Sequence, residues 1–196
     1  MNGLVLLAAG CSVRFGEDKR FAKLPDGKAM LLATLERIDE SSVPCLVVLR
    51  HDDLDLIDQL ANHYPRLHFV RCPESPLGMG YSLAFGVEQA AFRRSTGVAI
   101  ALADMPLIEP ATYRRVTHHI SSEKIVIPRH QQMIGHPIGF GQDFFDQLKA
   151  IRGDQGARSV WQHNQTQVEY LDIEDAGILA DIDTREDIPA LEHPTE

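Results

Sequence analysis

A loop near the amino end of the chain contains small residues together with several basic ones. A continuous apolar run, Gly3–Ala9, comes first, and the loop then carries Arg14, Lys19 and Lys23. The run is typical of a parallel strand buried on both faces, and small residues let backbone N–H groups approach a phosphate closely. Arginine adds a fork that matches phosphate oxygens, and lysine adds a point charge. The loop is therefore either an anion site or an ordinary turn with solvated bases; it is neither a P-loop nor a G-x-G-x-x-G motif.

A carboxylate follows another apolar run. Asp104 begins the segment Asp104-Met105-Pro106, directly after the strand predicted over Val98–Ala103. At the end of a buried strand, a carboxylate either binds a ligand or merely ends the strand. Ligands of parallel sheets bind at the carboxyl ends of strands. The loops of interest therefore follow strands, and they are Gly10–Lys23, Pro73–Ser82 and Asp104–Pro106.

Strands alternate with helices of about ten residues, which predicts βαβ units and a mostly parallel sheet. We expect a three-layer, Rossmann-like α/β fold with helices on both faces, formed by a single domain over residues 1–196. The predicted strands are Gly3–Ala9, Cys45–Leu49, Leu67–Val70, Val98–Ala103, Lys124–Pro128, Ile134–Phe140 and Val168–Ile173. The predicted helices are Met30–Ile38, Leu54–His63, Tyr81–Phe92, Pro110–Ile120, Asp143–Ile151, Ala157–His163 and Arg185–Leu191.

The composition excludes several classes of function. The 196 residues include 19 Lys and Arg against 28 Asp and Glu, for a net charge of −9. Such a chain is a poor candidate for nonspecific binding to nucleic acid or an anionic membrane, and no apolar run approaches the ~18 residues of a membrane span. Three cysteines without a C-x-x-C pair argue against a disulfide framework or a zinc ribbon. They suit a reducing cytoplasm, which is the location we expect.

Six sequence blocks resemble, in order, those of the MobA-like nucleotidyltransferases, and they are most similar to the molybdenum cofactor cytidylyltransferase branch. The first is the basic loop, in the form L-A-A-G-x-S-x-R-F-G-x-D-K over residues 7–19. Together the blocks span residues 7–187, and any one of them alone would be weak evidence. The other five are Leu77–Val87 with G-M-G-x-S-L, Leu102–Pro106 with L-x-D-M-P, Gly135–Ile138 with G-H-P, Arg152–Arg158 with G-D-x-G-A-R, and Asp181–Asp187 with D-I-D-T.

The resemblance implies a fold like that of the nucleotide-diphospho-sugar transferases and transfer of a nucleotidyl group from an NTP to an acceptor phosphate, with release of pyrophosphate. It also implies Mg²⁺, which accepts one or two carboxylates together with phosphates. Asp104 is then the first expected metal ligand and Asp183 the second. Asp181 lies on the same face as Asp183 if the segment is extended, so it could share or take that role.

The same resemblance implies roles for the basic loop. Arg14 is expected to hold the β- and γ-phosphates. Lys19 is expected to neutralise the α-phosphate, and Arg14, Lys19 and Asp104 are the expected catalytic residues. Lys23 competes for the role of Lys19, because Lys23-Leu24-Pro25 also resembles a K-L-x-P pattern in relatives. We favour Lys19.

The nucleoside is expected to lie against backbone groups of the first loop. The motif A-A-G over residues 8–10, rather than A-G-G, favours CTP over GTP as the substrate. The expected nucleotide-binding residues are therefore Ala8, Ala9, Gly10, Arg14, Lys19, Lys23, Pro73, Gly78, Gly80 and Ser82. His136 and Arg158 are the candidates for binding the acceptor, although His136 could equally be a structural histidine and Arg158 could stabilise its own loop.

The resemblance thus implies transfer of CMP from CTP to the phosphate of a molybdopterin-type cofactor. The expected partners are these small-molecule substrates and a molybdoenzyme that receives the product. One alternative is a nucleotidyltransferase that uses GTP, or a sugar or polyol phosphate as acceptor. Another is a non-catalytic chaperone that binds the cofactor. The presence of Arg14, Asp104 and Asp183 argues against the chaperone, because a binder needs no clamp for a triphosphate.

Overall fold

The computed structural model describes residues 2–10, 15–16, 18–92 and 95–188. Their strands form one eight-stranded sheet. The strands are β1 (Gly3–Leu7), β2 (Cys45–Arg50), β3 (His68–Cys72), β4 (Gly97–Leu102), β5 (Ile125–His130), β6 (Met133–Ile134), β7 (Ile138–Gly141) and β8 (Val168–Asp172). The helices are α1 (Met30–Ser41), α2 (Leu54–His63), α3 (Met79–Phe92), α4 (Pro110–His119), α5 (Phe145–Lys149) and α6 (Arg158–His163).

The order in which strands are added to the sheet reverses at β1. Its first part runs β3-β2-β1-β4 with parallel pairing throughout. The chain therefore builds outward from β1 to β3 and then returns to place β4 on the free side of β1. β7 is antiparallel to both β4 and β5, β6 pairs with β5, and β8 is parallel to β5. The neighbours β1 and β4 are a topological switch point, where open α/β sheets bind ligands.

Apolar residues of each central strand alternate between two cores. Leu4 and Leu6 of β1 face a core that includes residues of α1 and α4. Val5 and Leu7 face the opposite core, which includes residues of α3 and α5. Burial on both faces explains why β1 reads as an uninterrupted apolar run. The expected mostly parallel sheet with helices on both faces is confirmed.

The structure corrects three of the expected elements. The strand predicted over Ile134–Phe140 is split into β6 and β7, because Pro137 lacks an N–H and the amide of His136 bonds to the carbonyl of Ile178 at 3.0 Å. The helix predicted over 143–151 begins as a 3₁₀ turn, and its α-helical part is only α5. The helix predicted from Arg185 forms a 3₁₀ turn over Arg185–Asp187, and residues 189–191 lie outside the described residues.

No helix in the described ranges is both long enough and apolar enough to cross a bilayer. The longest of the α-helices is α3, with 14 residues. Its position is fixed by a close approach to the sheet. A Cβ added at Gly86 would lie 2.5 Å from Val5 Cγ1 and 2.9 Å from Val48 Cγ2. Glycine therefore lets α3 settle directly onto β1 and β2, with its amino end beside the switch point.

We expect Gly86→Val to lower the free energy of unfolding by about 2 kcal/mol, because the new side chain overpacks a closed core. Glu88→Val, at an exposed position of the same helix, is the matched control and should change stability by less than about 0.5 kcal/mol. Chemical denaturation of both variants measures the difference. Equal stability of the two would contradict the close packing of α3.

Candidate active site

A cleft of about 520 Å³ opens where β1 and β4 end. One wall consists of the segment that continues β1, together with Lys19 and the carboxylates of Asp104 and Asp183. The other wall comes from the start of α3 and the loop before α6. The residues of that wall are Ser75, Pro76, Gly78, Met79, Ser82 and Asp154. The parallel pairing of Leu7 with Leu102 brings these parts together, because it places both strand ends at one edge of the sheet.

Lys19 joins two carboxylates from distant parts of the chain. Its Nζ lies 2.6 Å from Asp104 Oδ2 and 3.4 Å from Asp183 Oδ1, and it also donates to the carbonyl of Ile182 at 3.2 Å. The side chains of Lys19 and Asp104 are only 17% and 19% exposed, whereas that of Asp183 is 42% exposed. The three groups therefore form a charge cluster that faces the cleft, with Asp104 at its protected end.

A tight turn presents Asp183 to this cluster. Ile182 is buried and donates its amide to the carbonyl of Asp104 at 3.0 Å. Asp187 then accepts from the amides of Asp183 and Thr184 at 3.0 and 2.7 Å, and from the Thr184 hydroxyl. These hydrogen bonds, chiefly those from Thr184, lower the pKa of Asp187. Asp187 is therefore ionised at neutral pH and can accept these bonds, and the turn directs the side chain of Asp183 toward Lys19.

The donor set fits a hard divalent cation. Asp104 Oδ1 is buried and has no hydrogen-bond partner among the residues that the structure describes, which makes this oxygen a candidate ligand for a cation. Among the described residues, no group of three or more His, Cys, Asp or Glu could hold a metal. One or two carboxylates are what Mg²⁺ takes from a protein when substrate phosphates complete its coordination.

Close backbone contact builds the far wall. Gly78 has φ +121°, and a Cβ there would lie 2.5 Å from the carbonyl oxygen of Gly153. The amide of Gly80 donates to that same carbonyl at 2.7 Å. Glycine at these positions lets the loop before α6 dock on the start of α3. The docking places Asp154 at the cleft, which the sequence did not single out.

The structure brings some of the expected residues to the cleft and not others. Ala8, Ala9, Gly10, Lys19, Gly78, Ser82, Asp104 and Asp183 line it. Lys23, Pro73, Arg158 and Asp181 are exposed and do not line it, and Gly80 lies buried behind it. Ser75 and Pro76 take the place expected for Pro73, because a 3₁₀ turn over Ser75–Leu77 directs them inward. Arg14 lies outside the described residues.

His136 lies beside the cleft rather than in its lining. Burial lowers its pKa, although a hydrogen bond to the backbone of Ile100 and the charges of Asp104 and Asp181 act in the opposite direction. The ring is therefore neutral at pH 7. Its Nδ1 is buried and has no hydrogen-bond partner in the described ranges of the chain. This environment fits the structural role and the acceptor role equally well.

The fold and the charge cluster define a nucleotidyltransferase. The chain belongs to the family with the MobA-like NTP transferase domain, whose model matches residues 4–168, and nucleotidyl transfer of the MobA-like kind is its activity. Lys19 and Asp104 lie within the matched residues, and Asp183 lies beyond them.

Similar proteins cover almost the whole chain. The purine catabolism protein PucB of Bacillus subtilis is 29% identical over 189 residues, which are 93% of this chain and 92% of PucB. Rv0371c of Mycobacterium tuberculosis has a similar structure, with a TM-score of 0.76 and 26% identity over 100% of this chain and 99% of that one. A further structure of Rv0371c is a complex with manganese. A nucleotidyl transferase from Methanothermobacter, at 22% identity, shares the fold with a TM-score of 0.80, covering 97% of this chain and 95% of its own.

Lys19 and Lys23, the two candidates for neutralising the α-phosphate, differ in their surroundings. Lys19→Ala should lower the rate of pyrophosphate release at least about 100-fold, because a charge contact is lost in a partly dry site. Lys23→Ala should lower it less than about threefold, since Lys23 is exposed and outside the cleft lining. Steady-state assays of the two purified variants give the ranking. The reverse ranking would assign the role to Lys23.

Proposed function

We propose that this protein transfers CMP from CTP to the phosphate of a molybdopterin-type cofactor in the presence of Mg²⁺ and releases pyrophosphate. The observation that carries the proposal is the meeting of Lys19, Asp104 and Asp183 at the cleft. Two carboxylates for a cation and one ammonium group for a phosphate, at the switch point of a parallel sheet, suit a metal–triphosphate complex.

The chemistry needs positioning more than it needs an acid or a base. An oxygen of the acceptor phosphate attacks the α-phosphorus of CTP in line, and the bond from that phosphorus to the bridging oxygen breaks as pyrophosphate leaves. Asp104 and Asp183 would hold Mg²⁺, which would neutralise charge on the phosphates. Lys19 stabilises the negative charge around the α-phosphate, and Arg14 is assigned to the β- and γ-phosphates by the resemblance of its loop.

The nucleotide choice rests on the first wall of the cleft. Ala8, Ala9 and Gly10 place backbone groups along this wall. Their sequence, A-A-G, supports CTP as the nucleotide. Gly78 and Ser82 face these residues from the other wall and would contact the nucleoside. A cleft of about 520 Å³ lies within the usual range for a small-molecule ligand.

The acceptor is supported by sequence blocks rather than by contacts in the cleft. The blocks Gly135–Ile138 and Arg152–Arg158 resemble those of the molybdenum cofactor branch. Arg158 and His136 are the proposed acceptor-binding residues, and a molybdoenzyme is the proposed recipient. PucB is named for purine catabolism, a name that gives neither a nucleotide nor an acceptor. A sugar or polyol phosphate is therefore the competing acceptor, and GTP the competing nucleotide.

The metal assignment predicts unequal effects of three aspartates. Asp104→Asn should lower turnover at least about 100-fold, because it removes a ligand from the protected end of the cluster. Asp183→Asn should be partly rescued by raised Mg²⁺ or Mn²⁺, since Asp183 is more exposed. Asp181→Asn is the matched control and should keep near-normal turnover. Normal pyrophosphate release by Asp104→Asn, or a larger loss in Asp181→Asn, would refute the assignment.

The substrate assignment is tested by crossing nucleotides with acceptors. Purified protein with Mg²⁺ is given CTP or GTP, together with molybdopterin or a sugar phosphate, and kcat/KM is compared for each pair. We expect a CMP adduct of molybdopterin by mass spectrometry and at least about tenfold preference for CTP, because a pocket shaped for a pyrimidine excludes a purine. Equal or better use of GTP refutes the nucleotide, and reaction only with a sugar phosphate refutes the acceptor.

A further inference from the structure

Two arginines and two aspartates form a second charge cluster directly behind the first wall of the cleft. Arg20 is only 5% exposed, and Asp53 is 10% exposed. Arg50 and Asp18 complete the cluster, and both are partly buried. Charged side chains this deep are stable only when they are paired and hydrogen-bonded. None of the sequence motifs that point to the reaction assigns a role to Arg20, Arg50 or Asp53.

Arg20 lines the cleft, yet all of its donors are already used. Nε donates to Asp18 at 3.0 Å, and Nη2 donates to Asp18 at 2.7 Å and to Asp53 at 2.9 Å. Nη1 donates to Asp53 and to the carbonyl of Ala8, the latter at 3.1 Å. A guanidinium has five N–H groups, so none is left for a phosphate. Burial by itself would lower the pKa of Arg20, but the bonds to Asp18 and Asp53 raise it, which keeps the group charged.

Arg50 holds a second carbonyl of the same wall. Its Nε donates to Gly10 O at 3.1 Å, and Nη2 donates to the same oxygen. Its Nη1 donates to Asp18 at 2.9 Å, which links it to Arg20 through a shared carboxylate. The cluster therefore holds the chain at Ala8 and Gly10 and again at Asp18, on both sides of Arg14 in the sequence.

Asp53 links the cluster to the sheet instead of capping its own helix. It is the N-cap of α2, where an aspartate usually accepts from the first helical amides. Its carboxylate makes no such bond. It accepts instead from Arg20 and from the amide of Arg50 at 2.8 Å, at the end of β2.

We propose that Arg20 and Arg50 are positioning residues that, through Asp18 and Asp53, hold the loop at its nucleotide-binding residues 8–10 and at Asp18 against the end of β2. The cluster has no net charge, because two guanidinium groups balance two carboxylates. It can therefore fix the loop without competing with Lys19 for the phosphates. The inference rests on the proposed function only in taking the loop as the nucleotide site.

The test compares Arg20→Lys and Arg50→Lys with Arg66→Lys. Arg66 makes a bidentate pair with Asp39 on the surface, away from the cleft, and is the matched control. Lysine keeps the charge but loses the fork. Because a loop that is ordered only part of the time weakens apparent affinity in proportion, we expect KM for CTP to rise at least about tenfold, with kcat within about threefold. Arg66→Lys should change neither, and an unfolding midpoint near wild type confirms that each variant is folded.

Asp53→Asn separates positioning from direct phosphate binding. If Arg20 acts through Asp53, the rise in KM in the double variant Arg20→Lys/Asp53→Asn should be clearly smaller than the product of the two single rises. Multiplicative effects, or a loss confined to kcat, would overturn the proposal and make Arg20 a phosphate ligand.

Hydrogen exchange tests the positioning without any substrate. The peptide that carries residues 8–10 should exchange faster in Arg20→Lys and Arg50→Lys than in wild type or Arg66→Lys. Unchanged exchange overturns the proposal even if CTP is the substrate. If wild type turns over neither CTP nor GTP, the proposed function fails, and faster exchange in the two variants would still support the positioning of the loop.

Discussion

The in-register parallel pairing of β1 with β4 is the constraint on which the site depends. It places the end of Leu7 beside the end of Leu102, so that the two chain segments that continue these strands must leave the sheet side by side. Asp104 follows β4 directly, and the amide of Ile182 docks the segment that carries Asp183 against the carbonyl of Asp104. Because the pairing is buried on both faces, packed side chains of both cores support these strand ends.

Two charge clusters lie around the cleft, and they have different roles. Lys19 with Asp104 and Asp183 faces the cleft, and within the described part of the chain one buried carboxylate oxygen of Asp104 has no partner. The cluster around Arg20 is saturated, since its donors are taken by carboxylates and carbonyls. One cluster is therefore available for a cation and a phosphate, and the other is a fixed part of the scaffold.

Three features could be predicted from the sequence: the mostly parallel sheet, the helices on both of its faces, and the location of the candidate site at the strand ends. They could be predicted because they follow from local apolar patterns and chain order. The sequence also predicted Lys19, Asp104 and Asp183 as site residues, and the structure brings these three together at the cleft. It did not reveal the cluster of Arg20 and Asp53, since a base and an acid far apart in sequence look like solvated charges until the fold brings them together. The same limit applies to residues 134–140, where no local pattern shows that the amide of His136 bonds to Ile178 rather than to the sheet.

The Lys19 contacts have a consequence for the order of events during folding. The ammonium group meets one partner 85 residues away and another 164 residues away. The four parallel strands β3-β2-β1-β4 contain no residue beyond Leu102, whereas Asp183 lies much farther along the chain, so its contact with Lys19 closes a longer loop. A partly folded chain can thus contain most of the central sheet and still lack the complete cluster. Under the proposed role of Asp183 as a metal ligand, activity is gained only when its segment docks, which makes activity a stricter reporter of native folding than helix content.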